Sequence, residues 1–200
     1  MDLIKNADFI ISKEDMGKVC PAFSKSFSAK KEVKKASAQI SALGVYEAYI
    51  NGKRVGDYIL APGWTTYHKR LQYQTYDITD MLQKDNVIEI NAGDGWLVEN
   101  LGHYSMMPWM PQNDRPAVIA AVEIEYTDGE KEVILTDESW KASKSEILKS
   151  TIYGGETYDA RIRGERNWGD VAVYKDYPKE RLIEQEGEII REIESLDAKE

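Results

Sequence analysis

Four carboxylates near glycines and aromatic residues, Asp94, Glu99, Glu156 and Asp159, are the first candidates for chemistry in this chain. Two acids facing each other about 6.5 to 9.5 Å apart could cleave a glycosidic bond with inversion. Thirty-five acidic residues make chance proximity common, however, and two acids without a pocket specify no reaction. The preferred reading is structural: Asp94, between Gly93 and Gly95, bonds loop amides, and Asp159 pairs with Arg161 or Arg163 on a strand. His68 and His103 have no Cys or His at ligand spacing, which argues against zinc. Cys20 would need a basic partner to act as a nucleophile, and Pro21 beside it points to an ordinary strand entry instead. No glycine-rich loop opens a helix to cradle a phosphate.

Aromatic loop residues offer a different chemistry. Trp64, Tyr67, Trp96, Tyr104 and Trp109 could stack on the apolar face of a sugar while neighbouring groups such as Asp94 and Glu156 bond its hydroxyls. Core packing competes with that role. It is the preferred reading for Trp64 and Trp140, whereas Trp96 and Trp109, in loops with Gly and Pro, are balanced between the two.

The elements that must position these residues read as strands. Val45, Glu47 and Tyr49 alternate with Tyr46, Ala48 and Ile50, and Asn51-Gly52 supplies the two positive-φ residues of a type I′ hairpin turn. Phe23 to Phe27, Val33 to Leu43 and Val87 to Asn91 are further strands. Ala117 to Tyr126, with Val118, Ala120, Val122, Ile124 and Tyr126 on one face, returns through Asp128-Gly129 to Glu132 to Leu135. Trp140 to Ser143 and Thr157 to Arg163 continue the pattern. Thr79 to Gln83 is a short helical turn capped by Thr79, and no amphipathic helix of useful length precedes residue 178. Many short strands joined by Gly, Asn and Asp turns specify an all-β fold, an antiparallel β-sandwich of jelly-roll type. Residues 1–178 form this domain, and 179–200 are a charged C-terminal strand or connector to a missing downstream region.

Composition limits the partners. Two hundred residues bury about 70% of the unfolded surface without metal or disulfide. A net charge of -9 disfavours nucleic acid and anionic membranes, and Lys25, Lys30, Lys31, Lys34 and Lys35 read as the solvated face of an edge segment. The N-terminus is too polar for a signal peptide, no segment is long enough to span a membrane, and the single Cys20 suits a reducing compartment. A cytoplasmic location is expected.

Several motifs in order carry a family resemblance. Leu43-Gly44-Val45-Tyr46-Glu47-Ala48-Tyr49-Ile50 leads to Asn51-Gly52-Lys53-Arg54-Val55-Gly56 and then Leu60-Ala61-Pro62-Gly63-Trp64. Arg70 to Asp80, Gly93-Asp94-Gly95-Trp96 and Tyr153-Gly154-Gly155-Glu156-Thr157-Tyr158-Asp159-Ala160-Arg161 follow, the last usually having Asp where Gly154 stands. Over residues 20–170 the series resembles the N-terminal domain of bacterial α-L-rhamnosidases, glycoside hydrolase family 78. The resemblance implies a carbohydrate-binding-module-like sandwich without catalytic residues, joined to a downstream catalytic domain that cleaves terminal α-L-rhamnosyl linkages by inversion.

The domain's role would then be structural or one of substrate recognition. An autonomous module binding rhamnose-containing glycans and a domain that only docks others are the alternatives. A related rhamnose-binding module holds calcium partly through an Asp-Asn pair. Here the corresponding loop reads Asp57-Tyr58, so the carry-over reaches Asp57 alone, because Tyr lacks the amide oxygen that a hard cation prefers. No other cofactor is implied.

Overall fold

The computed structural model describes residues 2–98 and 115–197. Fourteen strands are described: β1 (Ile10–Ser12), β2 (Pro21–Ser28), β3 (Val33–Leu43), β4 (Val45–Ile50), β5 (Lys53–Arg54), β6 (Leu71–Asp77) and β7 (Asp85–Gly93) in the first half. The second half holds β8 (Ala117–Tyr126), β9 (Lys131–Leu135), β10 (Lys141–Lys144), β11 (Ile147–Thr151), β12 (Gly155–Tyr158), β13 (Gly169–Val173) and β14 (Leu182–Glu184). One helical turn, α1 (Gly95–Val98), follows β7.

Twelve strands form one continuous sheet in the order β14-β6-β3-β8-β1-β13-β10-β2-β7-β4-β5, with β9 beside β8. Neighbours are antiparallel except β14, which lies parallel to β6. The sheet curls at β1 and β13, so that its β6-β3-β8 half faces its β2-β7-β4 half across a shared core, which is the expected sandwich. Alternation fills that core: Ala36, Ala38 and Ile40 come from one half, Phe23, Ile88, Ile90 and Ile50 from the other. Each Ile or Phe so buried contributes about 1.5–3 kcal/mol. Trp140 sits in the same core, fully buried, with its indole N–H donating to the Leu135 carbonyl at 2.9 Å.

β8 is buried on both faces, which explains why it is the longest apolar run. Val118 to Tyr126 alternate into the main core, while Ala117, Ile119 and Ala121 meet a second cluster of Ile4, Phe9, Leu71, Tyr73 and Tyr177.

The Asn51-Gly52 turn forms as expected, with φ of 52° and 76°. A second backbone constraint lies at Gly44, where φ is 130° and an added Cβ would fall inside van der Waals contact with the Gly93 carbonyl. That close approach holds the start of β4 against the end of β7.

Three local expectations change. The turn Thr79–Met81 is 3₁₀ with Ile78 at its N-cap and no side-chain cap, and just ahead of it Asp77 Oδ1 accepts from the Thr79 amide at 2.9 Å and hydroxyl at 2.6 Å. Thr79 Oγ1 instead accepts from the Ala36 amide, tying the turn to β3. The run from Thr157 leaves the strand after Tyr158, and Asp159 caps a 3₁₀ turn at Ala160–Ile162, so its pairing with Arg161 occurs off the sheet. The lysine segment is not an edge: Lys25 and Lys34 lie on interior strands, and Lys30, Lys31 and Lys34 pair with Glu132, Asp128 and Glu125 on their solvated sides.

Candidate functional site

Two surface features gather the residues singled out from the sequence. The first is an indole pair. The 61–64 turn contains a cis Ala61-Pro62 peptide and a Gly63 amide that donates to the Leu60 carbonyl at 2.9 Å, and it projects Trp64 into solvent. Trp64 is 61% exposed, so the core reading of this residue is corrected: the turn directs it outward. It stacks on Trp96 of α1, with ring centroids 6.1 Å apart and planes 13° from parallel. Trp96 is half-buried and leans on the second core cluster, so one indole anchors the other. The stacked pair leaves one wide apolar face, the shape that a sugar ring or a partner side chain can cover.

Tyr67 does not join that face. It is 2% exposed within the second core cluster, and the Tyr177 hydroxyl donates to its carbonyl at 2.5 Å, so its expected stacking role is corrected to packing. Trp109 lies outside the described residues, as do Glu99, His103 and Tyr104.

The second feature is a cleft of about 410 Å³ between the outer face of the β7-β4 region and the β11-β12 hairpin. With Ile88, Ile90 and Ala48 pointing to the core, alternation turns Glu47, Tyr49, Glu89 and Asn91 outward, and the register sets Glu47 beside Asn91 and Tyr49 beside Glu89. The hairpin is tied down through the Cys20 amide, which donates to the Ile147 carbonyl at 2.9 Å, and its own ladder is closed by the Asp159 amide, which donates to the Glu146 carbonyl at 2.9 Å. Glu146, Glu156, Tyr158 and Arg163 complete the polar lining. All three strongest sequence motifs therefore meet here: the β4 run, the Gly93 end of β7, and the Tyr153 to Arg161 segment.

Arg166 ties Glu146, one of the cleft's lining residues, to Glu89 of β7. Its guanidinium reaches Glu89 Oε1 at 3.0 Å through Nη2 and Glu146 Oε2 at 2.8 Å through Nη1, and its side chain is 11% exposed. Burial lowers its pKa, but the Glu89 and Glu146 carboxylates outweigh that effect and hold it above the ordinary value. The Glu146 contact is an ion pair without hydrogen-bond alignment, for Oε2 has no hydrogen-bond partner. Sequence reasoning missed this triad, because nothing in the spacing of Glu89, Glu146 and Arg166 shows that β7 and the hairpin meet.

Asp94 and Glu156 converge on Cys20. Burial first, and then these two carboxylates, push its thiol up to about 12, so the protein keeps it protonated and inert. Asp94 is half-buried and also lines a smaller recess of about 210 Å³ beside Arg115.

Asp57 stands apart, paired with Arg191 at 3.0 Å with both side chains exposed. Calcium takes roughly six to eight oxygen ligands. Tyr58 is buried, and no group of three His, Cys, Asp or Glu suited to a metal gathers among the described residues, so the donor set at Asp57 does not fit the ion. Among the described residues no helix is long and apolar enough to cross a membrane.

Comparison with known proteins agrees with the motif series. An α-L-rhamnosidase of Streptomyces avermitilis is 42% identical over 132 residues, which is 66% of this chain and 12% of that protein. The crystal structure of an α-L-rhamnosidase from Aspergillus terreus superposes with a TM-score of 0.85 at 34% identity, covering 96% of this chain and 24% of that one. The S. avermitilis α-L-rhamnosidase complexed with L-rhamnose gives a TM-score of 0.72 at 36% identity, over 80% of this chain and 16% of that one. This chain thus spans less than a quarter of the length of these relatives. The family model described as "Alpha-L-rhamnosidase N-terminal domain" matches residues 31–194, and with most of the chain inside that match, the protein belongs to the α-L-rhamnosidase N-terminal domain family.

Proposed function

We propose that this chain is the non-catalytic N-terminal β-sandwich of an enzyme that hydrolyses terminal α-L-rhamnosyl linkages with inversion, and that it takes part in substrate recognition. The observation that carries the recognition role is the indole pair: Trp64 stands in solvent and is backed by Trp96, an arrangement that costs apolar exposure unless something covers it. The relative complexed with L-rhamnose supports a rhamnose-containing glycan as the ligand. We assign the acid and base of the reaction to polypeptide beyond this chain. Within it, Glu146 is engaged by Arg166, and Asp159 by Arg161.

Residues 1–178 are assigned to the body of the sandwich and 179–200 to a charged C-terminal strand, which joins the same sheet as β14, and a connector that leads on toward the downstream catalytic domain. In support, β14 rides parallel on β6, the Ile59 amide donates to the Ile190 carbonyl at 2.9 Å, and Ile193 then stands 98% exposed. A cytoplasmic setting belongs to the same reading, supported by a cysteine without a partner to bridge.

Two measurements test this. The purified chain should give no turnover of an aryl α-L-rhamnoside, and turnover abolished by Glu156→Gln would refute the non-catalytic role. Titration with L-rhamnose should change tryptophan fluorescence in the wild type and not in Trp64→Ala. Binding in the isolated chain with ordinary saturation favours an autonomous rhamnose-binding module, the second reading, which rests on the same indole pair.

A further inference from the structure

Gln74 on β6 is a buried amide, 4% exposed, whose oxygen and nitrogen are both engaged. Its Nε2 donates to the Pro62 carbonyl at 3.1 Å and to Gln185 Oε1 at 2.7 Å, and its Oε1 accepts from the Tyr46 hydroxyl at 2.8 Å. One side chain thereby joins β4, the turn that carries Trp64, and the segment that follows β14. A buried amide is costly unless paired, and once paired it holds its partners in one arrangement.

Gln185 opens a segment that crosses the open side of the sandwich. β14 and β5 are the two ends of the curled sheet, and residues 185–191 run from β14 to the loop that follows β5. The Gln185 amide donates to the Tyr73 carbonyl at 3.0 Å and the Glu186 amide to Gln72 Oε1 at 3.2 Å, which seats the start of the segment on β6. Ile189 packs against the main core cluster, which includes Val55, Tyr58 and Ala61 of that loop. The Ile190 carbonyl then accepts from the Ile59 amide at 2.9 Å. The ion pair of Arg191 and Asp57 ends the crossing but, with both partners exposed, adds little. The same loop ends in the 61–64 turn, where the Tyr58 hydroxyl lies so close to Gly63 that an added Cβ would meet it at 2.6 Å.

We propose that residues 185–191 are a clasp that ties the two ends of the sheet together and, through Gln185 and Gln74, sets the position of the turn that presents Trp64. Gln74 and Gln185 are positioning residues in this device, acting on the indole through the Pro62 carbonyl. A displacement of the residues after Arg191 is then felt at Trp64. Whatever covers the indole pair tightens the clasp in return, because coupling between two places is reciprocal. The consequence for recognition rests on the role proposed for the indole pair, whereas the clasp itself rests on the contacts above.

Hydrogen exchange of the full ¹⁵N-labelled chain, read by NMR without any ligand, tests the clasp. In Gln185→Ala the Ile59 and Gly63 amides should exchange about fivefold to tenfold faster, the effect of one lost hydrogen bond, and the Trp64 indole N–H resonance should move. Amides of β8 and the buried Trp140 indole should keep their wild-type values. Ile189→Ala should repeat that pattern, and Ile193→Ser, beyond the clasp and 98% exposed, should change nothing. Ile59 and Gly63 amides that stay protected in Gln185→Ala overturn the clasp. A response at Ile59 without one at Gly63 or Trp64 overturns the link to the turn, and exchange that rises equally in β8 reduces the segment to general stability and overturns it as well. An equal response in Ile193→Ser overturns the assignment to 185–191. None of these readings involves a sugar, so each leaves the recognition role as it stood.

Discussion

Replacing Arg166 with methionine should destabilise the fold by about 3 kcal/mol, because it strands two carboxylates that share one cation. The figure follows from the geometry. Side-chain exposures are 11% for Arg166, 13% for Glu146 and 26% for Glu89, so neither acid can recover full hydration once the guanidinium is gone. Removing one partner of a buried pair costs about 3–5 kcal/mol, and the lower end applies here because the Glu146 contact is unaligned and Arg166 Nε is already unpaired. For a chain of this length, about 3 kcal/mol lowers the melting temperature by about 10 °C.

Urea unfolding at neutral pH followed by tryptophan fluorescence measures the loss. The decisive control is the triple change Glu89→Gln, Glu146→Gln, Arg166→Met, which removes all the charge at once and should recover more than half of the lost stability. An Arg166→Met variant within about 1 kcal/mol of wild type would refute the claim that this ion triad holds the hairpin on the sheet. So would a triple variant weaker than the single one.

Other outcomes can be stated briefly. Trp140→Ala should cost about 3–5 kcal/mol, as it empties a fully buried indole site and orphans the Leu135 carbonyl; calorimetry of the variant checks it. Arg161 holds the Asp159 carboxyl at about 2, below its ordinary 3.8, so the pair's effect is complete above 3.8 and vanishes as pH falls through about 2. Carbon-13 NMR should find that midpoint in the wild type and return it toward 3.8 in Arg161→Ala. The Cys20 thiol, raised from 9.0 to about 12 by burial and then by Asp94 and Glu156, should resist a disulfide reagent at pH 8 until the chain unfolds. Its contribution to stability is intact below pH 9 and declines as pH rises toward 12, so the difference in urea midpoint between wild type and Cys20→Ala should narrow in that range.

What was legible in the sequence was whatever alternation and turn chemistry fix locally. Val118 to Tyr126 announced a strand because every second residue is apolar, and Asn51-Gly52 announced its turn because both residues tolerate positive φ. The thing that stayed hidden was contact between distant segments. Nothing near Trp64 shows that Trp96 will lie flat against it, and a tryptophan beside Pro and Gly fits a core as readily as a loop. Tyr67 is the reverse case: an aromatic in a loop reads as a binding residue, yet Tyr177, more than a hundred residues on, closes over it.

The candidate site follows the same division. Glu156 could be chosen from its glycine-flanked motif, but its value depends on the cleft that Asn91 and Glu146 complete, and these came from a strand face and a loop with no motif of their own. Long-range placement also bears on why the acids read as structural rather than catalytic. Thirty-five of them on one chain make neighbours common, yet cations engage several of them, as Arg166 stands between Glu89 and Glu146 and Arg161 beside Asp159. A glycosidase pair needs two carboxyls facing an open ring across a gap, whereas a guanidinium in that gap neutralises both and leaves the ring no room. Binding survives that constraint, since the indole pair offers an apolar face and needs no free carboxyl.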